Sequence, residues 1–368
     1  MTIVIAGGGT GGHTSPGLAV ATLLRERGVG HAWIGSRDGV EARRAPEEGI
    51  PYHAIATGKL RRYWAWRNVT DLAINVPAGI VGAHALLRRL RPRVVLATGG
   101  FVALPVVLGA ALARIPVVVH EQTAVPGLAN RIAARGARRI AVTFPESARH
   151  FPADRVVVTG NPLRPDLRAG SRADAVARFG LDPALPLVYV TGGARGAHAI
   201  NRAVGEIVGN LLVHAQVIHQ CGDNPVTGDR AWLQARHAAL PTALARRYTV
   251  QPWVGPELAG IYATAALVVA RSGAGTVNEC CQLGLPALYV PMPGASGDEQ
   301  TANARLVGRV GGCSIAPQAS LTPELLLERI RSLLAEPARL KEMGERARTL
   351  AIPDATDRLV NLLLEIAG

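Results

Sequence analysis

Aromatic residues are scarce in this chain, 4% of 368, yet hydrophobic residues make up 48%. Its interiors must therefore be built from Ala, Val, Leu and Ile, as in parallel sheets covered by helices on both faces. Cysteine is equally sparse. Cys221, Cys280, Cys281 and Cys313 show neither metal-ligand spacing nor a disulfide framework, which points to a reducing compartment and to small core residues. No run is long enough to span a bilayer. The opening TIVIAG is short, has no basic stretch before it and passes straight into a glycine loop, so it reads as a first strand and not as a signal peptide. A cytoplasmic protein is expected, one still able to touch a membrane. Lysine is nearly missing, with Lys59 and Lys341 the only two among 40 basic residues. A GC-rich genome would explain arginine as the residue type but not where it falls: residues 1–165 hold 21 Lys and Arg against 9 Asp and Glu, whereas the remainder holds 19 against 18. That asymmetry assigns an anionic partner to the N-terminal half: nucleic acid, an acidic substrate or an anionic bilayer.

What is present is a repeated device. A short apolar run feeds a glycine turn and then a helix-like stretch, first in IVIAGGGTGGH (Ile3 to His13) and again in LVYVTGGARGAHAIN (Leu187 to Asn201). Such turns let bare backbone N–H groups converge at a helix start, where the dipole attracts anions. Strand-like runs alternate with helix-like ones throughout: IVIAG, HAWIG, PYHAIA, VVLATG, PVVVHE, RIAVTF and VVVTGN, then LVYVTG, QVIHQCG, YTVQPWV, LVVARSG, PALYVP and CSIAP. This is the βαβ pattern of parallel sheets with right-handed crossovers and ligands at the carboxyl ends of strands. Length also favours two domains. A proline-rich stretch from Asn161 to Pro186 separates the halves, with the linker near residues 161–167, and IPDATDRLVNLLLEIAG reads as a capped amphipathic terminal helix. The expected division is 1–163, 164–350, and a terminal helix 351–368 packing back on the first domain.

The first loop satisfies G-x-G-x-x-G through Gly7, Gly9 and Gly12, but the following strand ends at Gly35 and Ser36, where a dinucleotide site would offer a carboxylate, and Asp38 lies beyond. His13 stands at the mouth of the helix. It can be a structural cap, or a general base kept neutral by the helix N-terminus. A third glycine segment, ATGGFVALP (Ala97 to Pro105), follows a strand, and His120 and Glu121 close another. Those two can line a site beside His13 or merely brace the rim. In the second half, LVVARSGAGTVNECC offers a Ser-Gly-Ala-Gly-Thr turn with Glu279 one helical turn further on, a grip suited to a nucleoside diphosphate and its ribose. GASGDEQTANA adds Asp298, Glu299, Gln300 and Asn303, able to read sugar hydroxyls.

Taken together, GGGTGGHTSPGLAVA, ATGGFVALP, VVVHEQT, GNPLR, VTGGARGAHAIN, ARSGAGTVNE, GLPALYVPMP, DEQTANA and IPDAT closely resemble the MurG family over essentially the whole chain. The resemblance implies an α/β protein of GT-B glycosyltransferase architecture, two Rossmann-like domains with parallel sheets facing a central cleft. It implies transfer of N-acetylglucosamine (GlcNAc) from UDP-GlcNAc to the 4-hydroxyl of MurNAc in undecaprenyl-pyrophosphoryl-MurNAc-pentapeptide (lipid I), giving lipid II with inversion, in peptidoglycan synthesis. Carried over by position, Thr10, Gly11 and Gly12 line the sugar side of the donor, Arg164 approaches the nucleotide sugar and Val254 meets the uracil. Ala274, Gly275, Thr276, Val277, Asn278 and Glu279 hold the diphosphate and ribose, with Glu279 on the ribose, and Gln300 contacts the GlcNAc hydroxyls. Two donor-site positions depart from the family's usual residues: Thr123 stands where Asn is common and Ala194 where Ser is common. His13 is the hypothesised catalytic base, and no metal or other cofactor is expected. The stretch KLRRYWAWRNV sets Arg61, Arg62 and Arg67 among Tyr63, Trp64 and Trp66, a composition suited to the headgroups of an anionic membrane. The implied location is peripheral, on the cytoplasmic face of the plasma membrane, with other cell-wall synthesis proteins as candidate partners and no nucleic acid. A nucleotide-sugar epimerase, an NAD-dependent dehydrogenase and a non-enzymatic anion-binding module are the rival readings.

Overall fold

The computed structural model describes residues 2–9, 11–58, 74–294 and 296–368. The chain forms two compact units, one of Met1–Arg164 with Ile352–Gly368 and the other of Pro165–Ala351. All thirteen expected strands are present.

In the first unit, β1 (Thr2–Gly7), β2 (Gly30–Gly35), β3 (Tyr52–Ala54), β4 (Val94–Gly99), β5 (Val117–Glu121), β6 (Arg139–Val142) and β7 (Val156–Val158) form a parallel sheet in the order β3-β2-β1-β4-β5-β6-β7. Their sequences are nearly unbroken β-branched runs because both faces are covered; every residue of β4 and β5 is buried. One face packs Ile3, Ile5 and Leu96 against the helix Gly11–Glu26 and, on the same side, against Leu359, Val360 and Leu363 of the terminal helix Ala355–Ala367. The apolar stripe of that terminal helix therefore has its partner within the first unit. Arg27 fixes its start through Asp357 and Asn361, both at 2.6 Å, and Arg93 donates to the Ala367 carbonyl at 2.8 Å. The other face buries Val4, Val95 and Val119 under Ala83 and Leu87 of the helix Val76–Leu90 and Val106 and Ala110 of the helix Ala103–Leu112.

The second unit repeats the plan. Its strands β8 (Leu187–Thr191), β9 (Gln216–Gln220), β10 (Tyr248–Gln251), β11 (Ala265–Ala270), β12 (Ala287–Tyr289) and β13 (Cys313–Ile315) lie parallel in the order β10-β9-β8-β11-β12-β13. Val188, Val190, Leu267 and Val269 pack against Ile200, Val204 and Val208 of the helix His198–Leu211 and Leu326 and Ile330 of the helix Pro323–Leu334. In both sheets the direction of winding reverses beside the first strand, between β1 and β4 and between β8 and β11. In this class of sheet, loops leaving the carboxyl ends of the strands diverge at such a point, and it is there that ligands bind. Among the described residues, no helix is long and apolar enough to cross a membrane.

Candidate active site

At the first switch point, Gly7 of β1 lies opposite Gly99 of β4. His13 occupies the first turn of the helix Gly11–Glu26, half-buried, with its ring resting on the Gly99–Gly100 backbone. Both glycines have positive φ, 104° and 78°, and a Cβ at Gly99 would sit 2.8 Å from His13 Nδ1. Only glycine gives this backbone shape and leaves room for the imidazole. His13 Nδ1 is 3.2 Å from the Thr98 carbonyl oxygen, which also accepts from the Gln122 amide at 2.9 Å. The Thr98 hydroxyl in turn donates to the His13 carbonyl at 2.6 Å. With the proton on Nδ1 directed at Thr98, the lone pair resides on Nε2. Burial pushes the His13 pKa down from its ordinary value, outweighing the Glu121 charge, the Thr98 hydrogen bond and the Glu41 charge, which pull it up. The structure thus supplies burial as the leading cause of a neutral ring, where the sequence suggested the helix terminus.

His120 and Glu121 take the bracing role. His120 is fully buried, its Nε2 donating to the Gly160 carbonyl at 3.1 Å, and burial lowers its pKa to about 4. Glu121 accepts from the Thr123 N–H at 2.9 Å through Oε1 and from the Asn130 amide at 2.8 Å through Oε2. The Thr123 hydroxyl lies 2.6 Å from Glu121 Oε1 and 2.8 Å from the Val125 carbonyl, so this side chain is turned into the fold. Glu41 is a residue that no motif singles out. This carboxylate is fully buried beneath the glycine loop, accepting from Gly9 N–H at 2.8 Å and from the Ser36 N–H and hydroxyl at 3.1 and 2.6 Å. An acid does follow β2, but its oxygens are taken up by the loop and Ser36, in keeping with the reading against a dinucleotide site. Its position in the first turn of the helix Val40–Glu47, five residues past Ser36, is the only local signal for it.

At the second switch point, β11 runs into Arg271, Ser272 and Gly273 and the helix Ala274–Leu283 begins. Gly273 caps that helix in extended conformation with no side-chain hydrogen bond, and Ala274, Gly275 and Thr276 are half-exposed in its first turn. Their N–H groups have no partner within the helix and lie at the positive end of its dipole, an arrangement able to accept an anion. Val277 and Asn278 face inward, Asn278 donating to the Ala274 carbonyl at 2.8 Å. Glu279 is half-exposed and accepts from Tyr262 OH at 2.8 Å, a buried phenol that fixes the carboxylate and whose own pKa burial raises. Arg271 is a further residue the sequence did not single out. Its guanidinium reaches the Val290 and Pro291 carbonyls at 2.9 and 3.3 Å and Gln318 Oε1 at 2.5 Å, and burial lowers its pKa to about 10, still a cation at neutral pH. The segment it holds continues to Met292, whose N–H donates to Gln300 Oε1 at 2.9 Å, and Ser272 donates to the Gln300 carbonyl at 2.8 Å. Gln300 is thereby fixed through its oxygen, which orients its Nε2 as a donor.

The remaining expected residues are distributed between the units. Gly11 and Gly12 open the His13 helix, and Arg164 is half-exposed at the end of the first unit. Ala194 is exposed at the tip of the loop after β8, and Val254 is buried at 3% exposure, after β10. Thr10 and the group Arg61, Arg62, Tyr63, Trp64, Trp66 and Arg67 lie outside the described residues. No cluster of His, Cys, Asp and Glu suited to a metal ion occurs among the described residues.

Residues 3–142 match the N-terminal domain of glycosyltransferase family 28, and residues 187–359 match its C-terminal domain. A Nocardioides UDP-N-acetylglucosamine--N-acetylmuramyl-(pentapeptide) pyrophosphoryl-undecaprenol N-acetylglucosamine transferase is 40% identical over 100% of this chain and 98% of its own length. The transferase of that name from Desulforudis audaxviator is 36% identical, over 100% and 99%. The chain belongs to the MurG family. The crystal structure of Acinetobacter baumannii MurG superposes with a TM-score of 0.73 at 30% identity, covering 99% of each chain. UDP-GlcNAc 2-epimerase from Neisseria meningitidis, 14% identical with a TM-score of 0.69 over 99% of this chain and 100% of its own, shares the fold alone. MurG membership makes the chain a glycosyltransferase of GT-B architecture, and the dehydrogenase and anion-binding alternatives fall away.

Proposed function

We propose that this chain transfers GlcNAc from UDP-GlcNAc to the 4-hydroxyl of MurNAc in lipid I, giving lipid II with inversion at the anomeric carbon. The seat of His13 carries this reading. A neutral imidazole, with Nδ1 committed to Thr98, presents Nε2 as the proton acceptor for an attacking hydroxyl. As the hydroxyl oxygen bonds to the anomeric carbon, the bond from that carbon to the β-phosphate oxygen breaks, UDP leaves as an anion and the proton passes to His13 Nε2. The charge gathering on UDP falls to the second unit. The first-turn N–H groups of Ala274, Gly275 and Thr276 and the loop at Ala194 face the phosphates, and Arg164 is the residue we assign to the nucleotide sugar as a cation. Glu279, held by Tyr262, accepts from ribose hydroxyls, Gln300 donates to the sugar, and Val254 meets uracil through its backbone. Gly11 and Gly12 bring bare backbone beside the donor sugar. Val277, whose N–H is bonded to the Gly273 carbonyl at 3.0 Å, and Asn278 support this turn from behind with buried side chains. The decisive assay incubates radiolabelled UDP-GlcNAc with a short-chain lipid I analogue. A labelled lipid-linked disaccharide is expected; release of label as free sugar or as an epimer, without disaccharide, would overturn the assignment.

The same proposal sets the protein on the cytoplasmic face of the plasma membrane. Support comes from apolar side chains left in solvent on the first unit: Ile74 at 62% and Val81 at 69% exposure, two helical turns apart, and Leu112 at 66%. Arg88, Arg89, Arg91 and Arg93 follow on or just after the helix Val76–Leu90, where each basic residue near an anionic surface contributes about 1 kcal/mol. Co-flotation with anionic liposomes at low salt, weakened by Val81→Glu and by raised salt, is the expected result. Equal recovery on neutral and anionic vesicles would contradict it.

A further inference from the structure

Behind the loop that follows β8 lies a closed polar network that the chemistry above does not use. Asn201, in the first turn of the helix His198–Leu211, is 1% exposed. Its amide donates to the Cys221 carbonyl at 2.9 Å and to Asp229 Oδ2 at 2.9 Å, which uses both of its protons. Its Oδ1 accepts from His219 Nε2 at 3.0 Å, and His219 Nδ1 accepts from Tyr248 OH at 3.0 Å. That arrangement requires a neutral His219, and burial lowers its pKa to about 3. Asp229 is 4% exposed and completes the network, its Oδ1 accepting from His198 Nδ1 at 2.7 Å and Arg202 Nε at 3.1 Å.

The network bears on one point of backbone. The Cys221 carbonyl that Asn201 holds is also what a Cβ on Gly196 would strike, and a Cβ on Gly222 would strike the Gly196 nitrogen. The loop after β8 therefore lies directly on the turn after β9, and a hydrogen bond from the Asp223 N–H to the Ala194 carbonyl, 3.3 Å, ties the two again. With no side chain between them, any movement of the 221–223 turn is passed to Gly196 and the loop tip. Few alternative positions exist for that turn, because moving it would break a bond from Asn201 and leave a buried donor unpaired.

We infer that Asn201 and Asp229 are positioning residues for the phosphate-facing loop, fixing the height of Gly193, Ala194 and Arg195 from behind without touching substrate. This rests on the reading of that loop as part of the donor's diphosphate site. The test measures binding of uridine, UMP and UDP by calorimetry to the full chain and to Asn201→Ala and Asp229→Asn. UDP affinity is expected to fall about 10-fold in each variant while uridine affinity stays within about two-fold. Because the readout is the ratio of UDP to uridine binding within one preparation, a partly unfolded fraction lowers both and leaves the ratio alone. Equal losses for all three ligands, or no loss for UDP, would overturn the inference. Wild-type protein with no preference for UDP over uridine would instead remove the donor-site reading on which it rests, so the two failures are distinct. Should Asn201→Ala not fold, Asp229→Asn, which keeps the shape and removes the charge, reports the same ratio.

Discussion

The two switch points use one backbone design and place their carboxylates oppositely. At β1/β4, Glu41 lies under the glycine loop and takes the Gly9 N–H itself, so part of the donor capacity an anion would use is already satisfied. At β8/β11, Asp229 lies behind the loop and binds side chains of the helix His198–Leu211, leaving Ala194 and Arg195 exposed at the tip and the helix at Ala274 without a side-chain cap. A glycine loop at a helix start is thus not by itself a phosphate site; where the nearest buried acid points decides what remains to bind. The first loop is a rigid seat for His13, and the second is the one we propose as the seat for an anion. Repetition of a motif in this chain marks repetition of fold, with the chemistry divided between the copies.

That contrast can be broken from either side. Short of removing His13 itself, the largest effect is expected from Gly99→Ala, whose Cβ would lie 2.8 Å from His13 Nδ1 and displace the ring. Turnover should fall about 100-fold with UDP affinity unchanged, as steady-state kinetics with parallel calorimetry would show. Glu279→Ala should act in the opposite sense, weakening UDP and UDP-GlcNAc about 10- to 100-fold by loss of a charge-assisted hydrogen bond, with a smaller change in kcat. If Glu279→Ala lowered kcat and left affinity intact, the division between the copies would be wrong. Glu41→Gln should cost about 1–3 kcal/mol in urea unfolding, because an amide N–H₂ would face either Gly9 or Ser36 N–H. Donor binding should be spared.

The last effect is a pH dependence of stability. His120 has a folded pKa of about 4 and an ordinary value of 6.5, so its contribution is complete above 6.5 and is lost as pH falls toward 4. His219, at about 3, adds a loss in the same direction extending further into acid. Midpoint temperatures measured across pH 7 to 4 should fall steadily, and His120→Asn should flatten the upper part of that decline.

Most of the architecture was legible because parallel strands buried on both faces read as unbroken runs such as VVLATG and LVVARSG. His13 was legible for a different reason: it adjoins the glycines that shape its turn. What stayed hidden depends on contacts distant in sequence. Glu41 is 32 residues from the Gly9 it braces, and Asp229 is 28 from Asn201, so neither carries a local pattern. Glu121 and Thr123 look like site residues in HEQT, yet their polar atoms bond to one another and to Asn130, which only the folded rim reveals. The loss of Ser at Ala194 leaves the loop to its backbone, and the network at Asn201 explains how such a loop keeps its shape.

The claim that the first copy activates the acceptor while the second holds the donor is tested most directly by His13→Ala, assayed for lipid-linked disaccharide and titrated with UDP. A loss of about 10²- to 10⁴-fold in kcat, with UDP affinity equal to wild type, is predicted. Unchanged turnover, or a loss of UDP binding that accounts for the lost rate, would contradict it.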